Sequence, residues 1–153
     1  MSLIGKILTR EHVLVDLDVA SKKRIFEQVG LIAENTCNVA RSEVFDSLFA
    51  REKLGSTGLG QGVAIPHGRA RGLKEAMGVF IRLKQAIPFD APDGKPVRLL
   101  FALLVPEQAT DLHLQVLSEL AQLFSSRALR DALEGAADAD AIYRLLTERC
   151  EHA

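Results

Sequence analysis

The run Leu99 to Val105, LLFALLV, constrains the fold of this chain more than any other segment. Side chains of a strand alternate between two faces, so a run that is apolar on both must be covered on both. The expectation is a central strand with helices packed on each side, ended by Pro106.

The periods of the other segments fit that plan. After an apolar start at Leu3, Ile4, Ile7 and Leu8, His12 to Leu17 reads as a strand. Asp18 and Ser21 then offer N-caps to a helix carrying Ile25, Val29, Ile32 and Ala33 on one face. A second helix is expected with Ser42 as N-cap and Val44, Phe45, Leu48 and Phe49 on its apolar face, ending near Lys53. Val63 to Ile65 reads as a short strand, and Met77, Val79, Ile81 and Leu83 alternate with Gly78, Phe80 and Arg82 as a longer one. The Pro and Asp-Gly chemistry of IPFDAPDGKPV marks a turn or hairpin, with Asp93-Gly94 as the reversal. From Thr110 a third helix carries Leu112, Val116, Leu117, Leu120 and Phe124. Shorter helices follow around Leu129 and Leu133, and around Ile142, Leu145 and Leu146. Helices and strands intermix, so the class is α/β. No repeat or Ser/Pro-rich linker divides residues 1–153, so one domain is expected.

Chemistry concentrates in GSTGLGQGVAIPHG, Gly55 to Gly68, where a glycine-rich loop ends on His67. A neutral imidazole is a good nucleophile near pH 7. Glycines at 55, 58, 60 and 62 let backbone amides approach an anion without Cβ obstruction, and Ser56 and Thr57 add hydroxyl donors. The same residues also suit a merely structural turn with a solvent-facing histidine, and pattern alone leaves the two readings level. A phosphate-binding P-loop would need Gly-Lys-Ser/Thr at its end, a dinucleotide fingerprint would need Gly at Val63, and GSTGLG lacks the order of a nucleophile elbow.

Two further residues carry weight. His113 falls in the first turn of the third helix if Thr110 caps it, where free amides favour an anion; the bland alternative is a boundary histidine satisfied by its neighbours. Arg51, in the last turn of the second helix, offers a fork of donors to phosphate, although most arginines there are solvated or complement the dipole. His12 and His152 are assigned no role.

Charge and cysteine content exclude several classes. Nineteen basic against 20 acidic side chains, a net charge of -1, give no footprint for nucleic acid or anionic lipid, so any phosphate recognition is local. Cys37 and Cys150 have neither disulfide-framework nor zinc-site spacing. Lys6, Arg10 and Glu11 interrupt the apolar start, so it reads as neither signal peptide nor membrane span, and a cytoplasmic location is expected.

The segments REKLGSTGLGQGVAIPHG (Arg51 to Gly68) and IPFDAPDGKPVRLLFALLVP (Ile87 to Pro106), with the histidine of TDLHLQVLSEL, resemble the phosphotransferase-system enzyme IIA family of the mannitol and fructose type. The likeness is greatest to the family's nitrogen-regulatory branch and covers roughly Leu3 to Glu148. It implies a mixed β-sheet sandwiched by helices on both faces, in agreement with the reading of Leu99 to Val105. It implies that His67 is the phosphorylated histidine, fed by a histidine phosphocarrier protein, that His113 is the second active-site histidine, and that Arg51 lies near the phosphorylated ring. Ser56, Thr57, Gly58, Gly60 and Gly62 are then expected around the phosphate. Such transfer asks for positioning and charge stabilisation, so no metal or cofactor is expected. With no membrane stretch and no attached phosphocarrier domain, a free-standing regulator acting on target proteins is expected over a sugar-specific subunit serving a membrane permease. A purely stoichiometric binding module is the alternative from a different class.

Overall fold

The computed structural model describes residues 3–108 and 111–152, with residues 3, 111–113 and 149–152 described by backbone alone. A short helix, α1 (Leu3–Ile7), and one 3-10 turn (Arg10–His12) lead into β1 (Val13–Leu17). Two helices follow, α2 (Lys22–Cys37) and α3 (Arg41–Lys53), and then three short strands, β2 (Gly58–Gly60), β3 (Val63–Ala64) and β4 (His67–Ala70). Two long strands, β5 (Met77–Ile87) and β6 (Val97–Pro106), precede α4 (Asp111–Phe124), α5 (Arg127–Gly135) and α6 (Ala139–His152).

The sheet is mixed, in the order β1-β5-β6-β3-β2, with β4 also paired to β6. β5 and β6 are antiparallel, joined by a turn in which Gly94 takes φ 71° and its amide donates to Ala91 O at 2.9 Å. This is the reversal expected at Asp93-Gly94. β1 runs parallel to β5, and β3 and β4 run parallel to β6. β6 is the central strand, and Leu99 to Val105 is buried along its whole length.

Alternation sorts the core into two layers. Leu100, Ala102 and Leu104 of β6 pack with Ile25, Phe26 and Val29 of α2 and Val44 and Leu48 of α3. Leu99, Phe101, Leu103 and Val105 pack on the opposite face with Val116, Leu120 and Phe124 of α4, Leu129 and Leu133 of α5, and Ile142 and Leu146 of α6. Gly78, Phe80 and Arg82 of β5 are buried as well. Arg82 is kept there by donating to Leu133 O and Ala136 O, at the C-terminal end of α5 and just beyond it, and by pairing with Asp16 at 3.2 Å. A buried guanidinium is tolerated because each side of its fork meets an acceptor.

Several boundaries depart from expectation: His12 ends the 3-10 turn and does not open β1, and β5 runs past Leu83 to Ile87. Ser21 does cap α2, accepting from the Arg24 amide, but Ser42 does not cap α3. That helix starts two residues earlier, after Ala40, because the Glu34 carboxylate of α2 reaches across to accept from the Arg41 amide at 3.2 Å and does the cap's work. The last helix, expected to be short, is as long as α4 at 14 residues. Thr110, the expected cap of α4, lies outside the described residues.

Candidate functional site

His67 opens β4, and its surroundings follow from the edge strand it sits on. β3 and β4 keep one register against β6, with Ala64 opposite Leu100 and His67 opposite Leu103, interrupted at Ile65-Pro66. Alternation along that edge puts Val63, Ile65 and His67 on the α4–α6 side, where Val63 and Ile65 join the core beside Leu99 and Leu103. Gly68 faces the other way. A Cβ there would stand 2.5 Å from Ser47 Oγ and 3.2 Å from the Ser47 carbonyl carbon, so the missing side chain lets α3 close on β4. Ser47 Oγ fixes the contact by accepting from the Arg69 amide at 2.8 Å. With α3 held this close, Arg51 in its last turn reaches the imidazole.

Among the described residues, Ile65 and Arg51 orient the ring. His67 Nδ1 is 3.0 Å from Ile65 O, and Arg51 Nε donates to His67 Nε2 at 3.2 Å. A carbonyl only accepts, so Nδ1 carries the proton, and the lone pair of the neutral ring is on Nε2, facing a cation. Arg51 is held in turn by donating from Nη1 to Gly55 O at 2.8 Å. Around the pair lies an open cavity of about 350 Å³ lined by Ser47, Ala50, Arg51, Leu54, His67, Gly68, Arg69, Leu103 and Val105. Leu54 is 85% exposed on its rim; the other large exposed apolar residues among those described are Leu59 at 43% and Leu114, on α4, at 59%.

The glycine loop packs as a hairpin. β2 and β3 form an antiparallel hairpin whose two-residue turn, Gln61-Gly62, has φ 57° and 81°. Both residues therefore have positive φ, as a type I′ turn demands, and Gly62 meets that demand without strain. Gly58 is required by close approach, since a Cβ would lie 2.8 Å from Ala91 Cβ. The Ser56 hydroxyl donates to Phe89 O at 2.7 Å, and the Gln61 amide donates to Asp93 Oδ2 at 2.9 Å. The Gln61 and Lys95 amides hold the Asp93 carboxyl below the usual carboxylate range. The hairpin is thus pinned to the β5–β6 turn. None of Ser56, Thr57, Gly58, Gly60 and Gly62 lines the cavity at His67. The structure brings His67 and Arg51 together. It places His113 in the first turn of α4 by backbone, while its side chain lies outside what is described.

Glu52 is a residue that the sequence reading passed over. Its side chain is 6% exposed, and it takes the Thr57 hydroxyl at 2.6 Å, the Thr57 amide at 3.1 Å and Lys22 Nζ at 2.9 Å. A signal for it existed, because an acid in the last turn of a helix opposes the dipole and needs a partner elsewhere.

Comparison with known proteins shows the family and the fold. The family model described as "Phosphoenolpyruvate-dependent sugar phosphotransferase system, EIIA 2" matches residues 6–149. A "Nitrogen regulatory protein" of Pseudomonas aeruginosa is 42% identical over 149 residues, covering 97% of each chain. The crystal structure of "Nitrogen Regulatory Protein IIA-Ntr" from Neisseria meningitidis superposes with a TM-score of 0.90 at 55% identity, covering 95% of this chain and all of that one. An enzyme IIAMTL of Escherichia coli, solved in complex with phosphorylated enzyme IIBMTL, shares the fold with a TM-score of 0.78 at 21% identity, covering 94% of this chain and 100% of its own. No helix of the described residues is long and apolar enough to cross a membrane.

Proposed function

The chain belongs to the EIIA 2 family of the phosphoenolpyruvate-dependent sugar phosphotransferase system, and within it we propose a cytoplasmic phosphoryl carrier that accepts phosphate on His67 Nε2 from a histidine phosphocarrier protein and regulates partner proteins by its phosphorylation state. The observation that carries this reading is the pair of bonds on the ring: Nδ1–H on Ile65 O and Arg51 Nε on Nε2.

The Nε2 lone pair attacks phosphorus, the P–N bond to the donor imidazole breaks, and the bonding pair returns to that ring. No proton has to leave His67, because Nδ1–H stays on the Ile65 carbonyl. That bond favours the protonated ring of the product, which makes the His67 imidazole a ready leaving group when the phosphoryl group is passed on. Arg51 Nε, already beside Nε2, turns to the phosphoryl oxygens and offsets their charge, as phosphoryl transfer requires. His113 is assigned the second donor. Its place in the first turn of α4, on the side of the sheet that His67 shares, supports this assignment. His113→Ala is expected to slow transfer by about tenfold to a thousandfold, the range for losing one donor to developing charge. An unchanged rate would remove it from the site.

Regulation of targets, with no sugar as final acceptor, is supported by relatives named nitrogen regulatory proteins and by exposed Leu54 on the cavity rim. A phosphoryl group beside an apolar rim changes docking through charge and desolvation with no change of fold. The nitrogen assignment is tested by ring 15N spectra of the phosphorylated protein. Phosphorus coupling at Nε2, with Nδ1 still protonated, is expected; coupling at Nδ1 would contradict it.

A further inference from the structure

A buried carboxylate sits one residue from Arg51 and is committed to a turn, which is a costly arrangement for a surface helix end. Glu52 faces the negative end of the α3 dipole and is almost fully enclosed. Three donors compensate it: the Thr57 amide, the Thr57 hydroxyl and Lys22 Nζ, the last resting 4.5 Å from the centre of the Phe89 ring. Those bonds close the Leu54–Thr57 turn onto the helix end. The turn then presents Gly55 O to Arg51 Nη1 at 2.8 Å, and the same guanidinium meets His67 Nε2 through Nε. Without that carbonyl, the long arginine side chain would be free to explore other rotamers over an open cavity.

We infer that Glu52 is a positioning residue for the phosphoacceptor: by holding Thr57 against a Lys22 counter-charge, it fixes the carbonyl that aims Arg51 at His67 Nε2. Glu52 touches neither the ring nor the phosphoryl group. The inference rests on the reading of His67 as acceptor, and it also makes a claim about Arg51 that can be read without any phosphate.

The discriminating variants are Glu52→Gln and the double variant Lys22→Met/Glu52→Gln. A glutamine has a single acceptor oxygen, so its NH2 must face either the Thr57 amide or the Lys22 ammonium, both of them donors only. Removing the Lys22 ammonium takes away the donor that the glutamine NH2 would oppose, so its oxygen can accept from Thr57 without that repulsion. Single-turnover transfer from phosphorylated histidine phosphocarrier protein should fall by about tenfold or more at saturating donor in Glu52→Gln, with half-saturation moved by less than about threefold. The double variant should recover most of the rate. In unphosphorylated protein, the slowly exchanging Arg51 Nε–H signal and the single His67 tautomer should be lost in Glu52→Gln and restored in the double variant.

A folded Glu52→Gln with the native rate and native ring signals would overturn the inference, as would a double variant as slow as the single one. If Glu52→Gln does not fold, Thr57→Val, which removes only the hydroxyl, takes its place, and native rate and spectra in that variant would be equally fatal. Should the native protein take no phosphate at all, the acceptor reading fails, whereas loss of the Arg51 and His67 signals in Glu52→Gln still establishes the positioning.

Discussion

His67 and His12 show how differently one residue type is used at two depths. His67 keeps partial exposure at a strand edge, with a carbonyl on one nitrogen and a cation on the other. His12 is 6% exposed, and its Nε2 lies 3.1 Å from Thr36 Oγ1, whose own proton goes to Ile32 O at 2.7 Å. Burial pushes the His12 pKa below the usual imidazole value of 6.5, against opposing contributions from the Gly78 backbone and the Glu11 charge. The unfolded state therefore binds more protons as pH falls through 6.5, so stability is full above that pH and is lost progressively toward the lower folded value. Denaturant unfolding at a series of pH values should show this loss, and His12→Gln should flatten it; an identical pH slope in the variant would rule His12 out as its source. His67 was legible in the sequence because IPHG stands apart from fold-building patterns. Arg51 became specific only through its motif, since an arginine ending a helix has a bland explanation. His12 was illegible, because its role comes from burial by residues distant in the chain, whereas Glu52 left a trace as an acid in the last turn of a helix but the Lys22 and Thr57 partners that enclose it left none.

At the scale of elements, the site is a close approach between α3 and the β3–β4 edge, enforced by Gly68 and sealed by Ser47. Gly68→Ala should push the helix and strand apart and cost about 1–3 kcal/mol, the range for overpacking. It should also lengthen the Arg51–His67 contact and slow phosphorylation. A variant as stable and as fast as the native protein would show that the approach is not tight in solution. Long strands and amphipathic helices were readable because period and burial agree along them. The glycine loop was half readable: a loop was evident, but its glycines answer to the Gln61-Gly62 turn and to Ala91, which belongs to a distant turn. The start of α3 was missed because its capping group is supplied by Glu34 of the preceding helix, a tertiary contact with no local trace.

For the whole molecule, two helical layers on one mixed sheet bury Leu99 to Val105 of β6 and leave the edge carrying His67 open to a partner. The apolar run of β6 announced this plan, and the buried Arg82 shows where alternation alone misleads, since a charged residue can line a core when carbonyls and Asp16 surround it. That the chain is a phosphoryl carrier acting through His67 is tested most directly by incubating the native protein and His67→Ala with phosphoenolpyruvate, enzyme I and histidine phosphocarrier protein, and measuring intact mass before and after mild acid. One acid-labile phosphoryl group on the native chain and none on His67→Ala is the predicted result. Phosphorylation that persists in His67→Ala, or that fails in both, would contradict it.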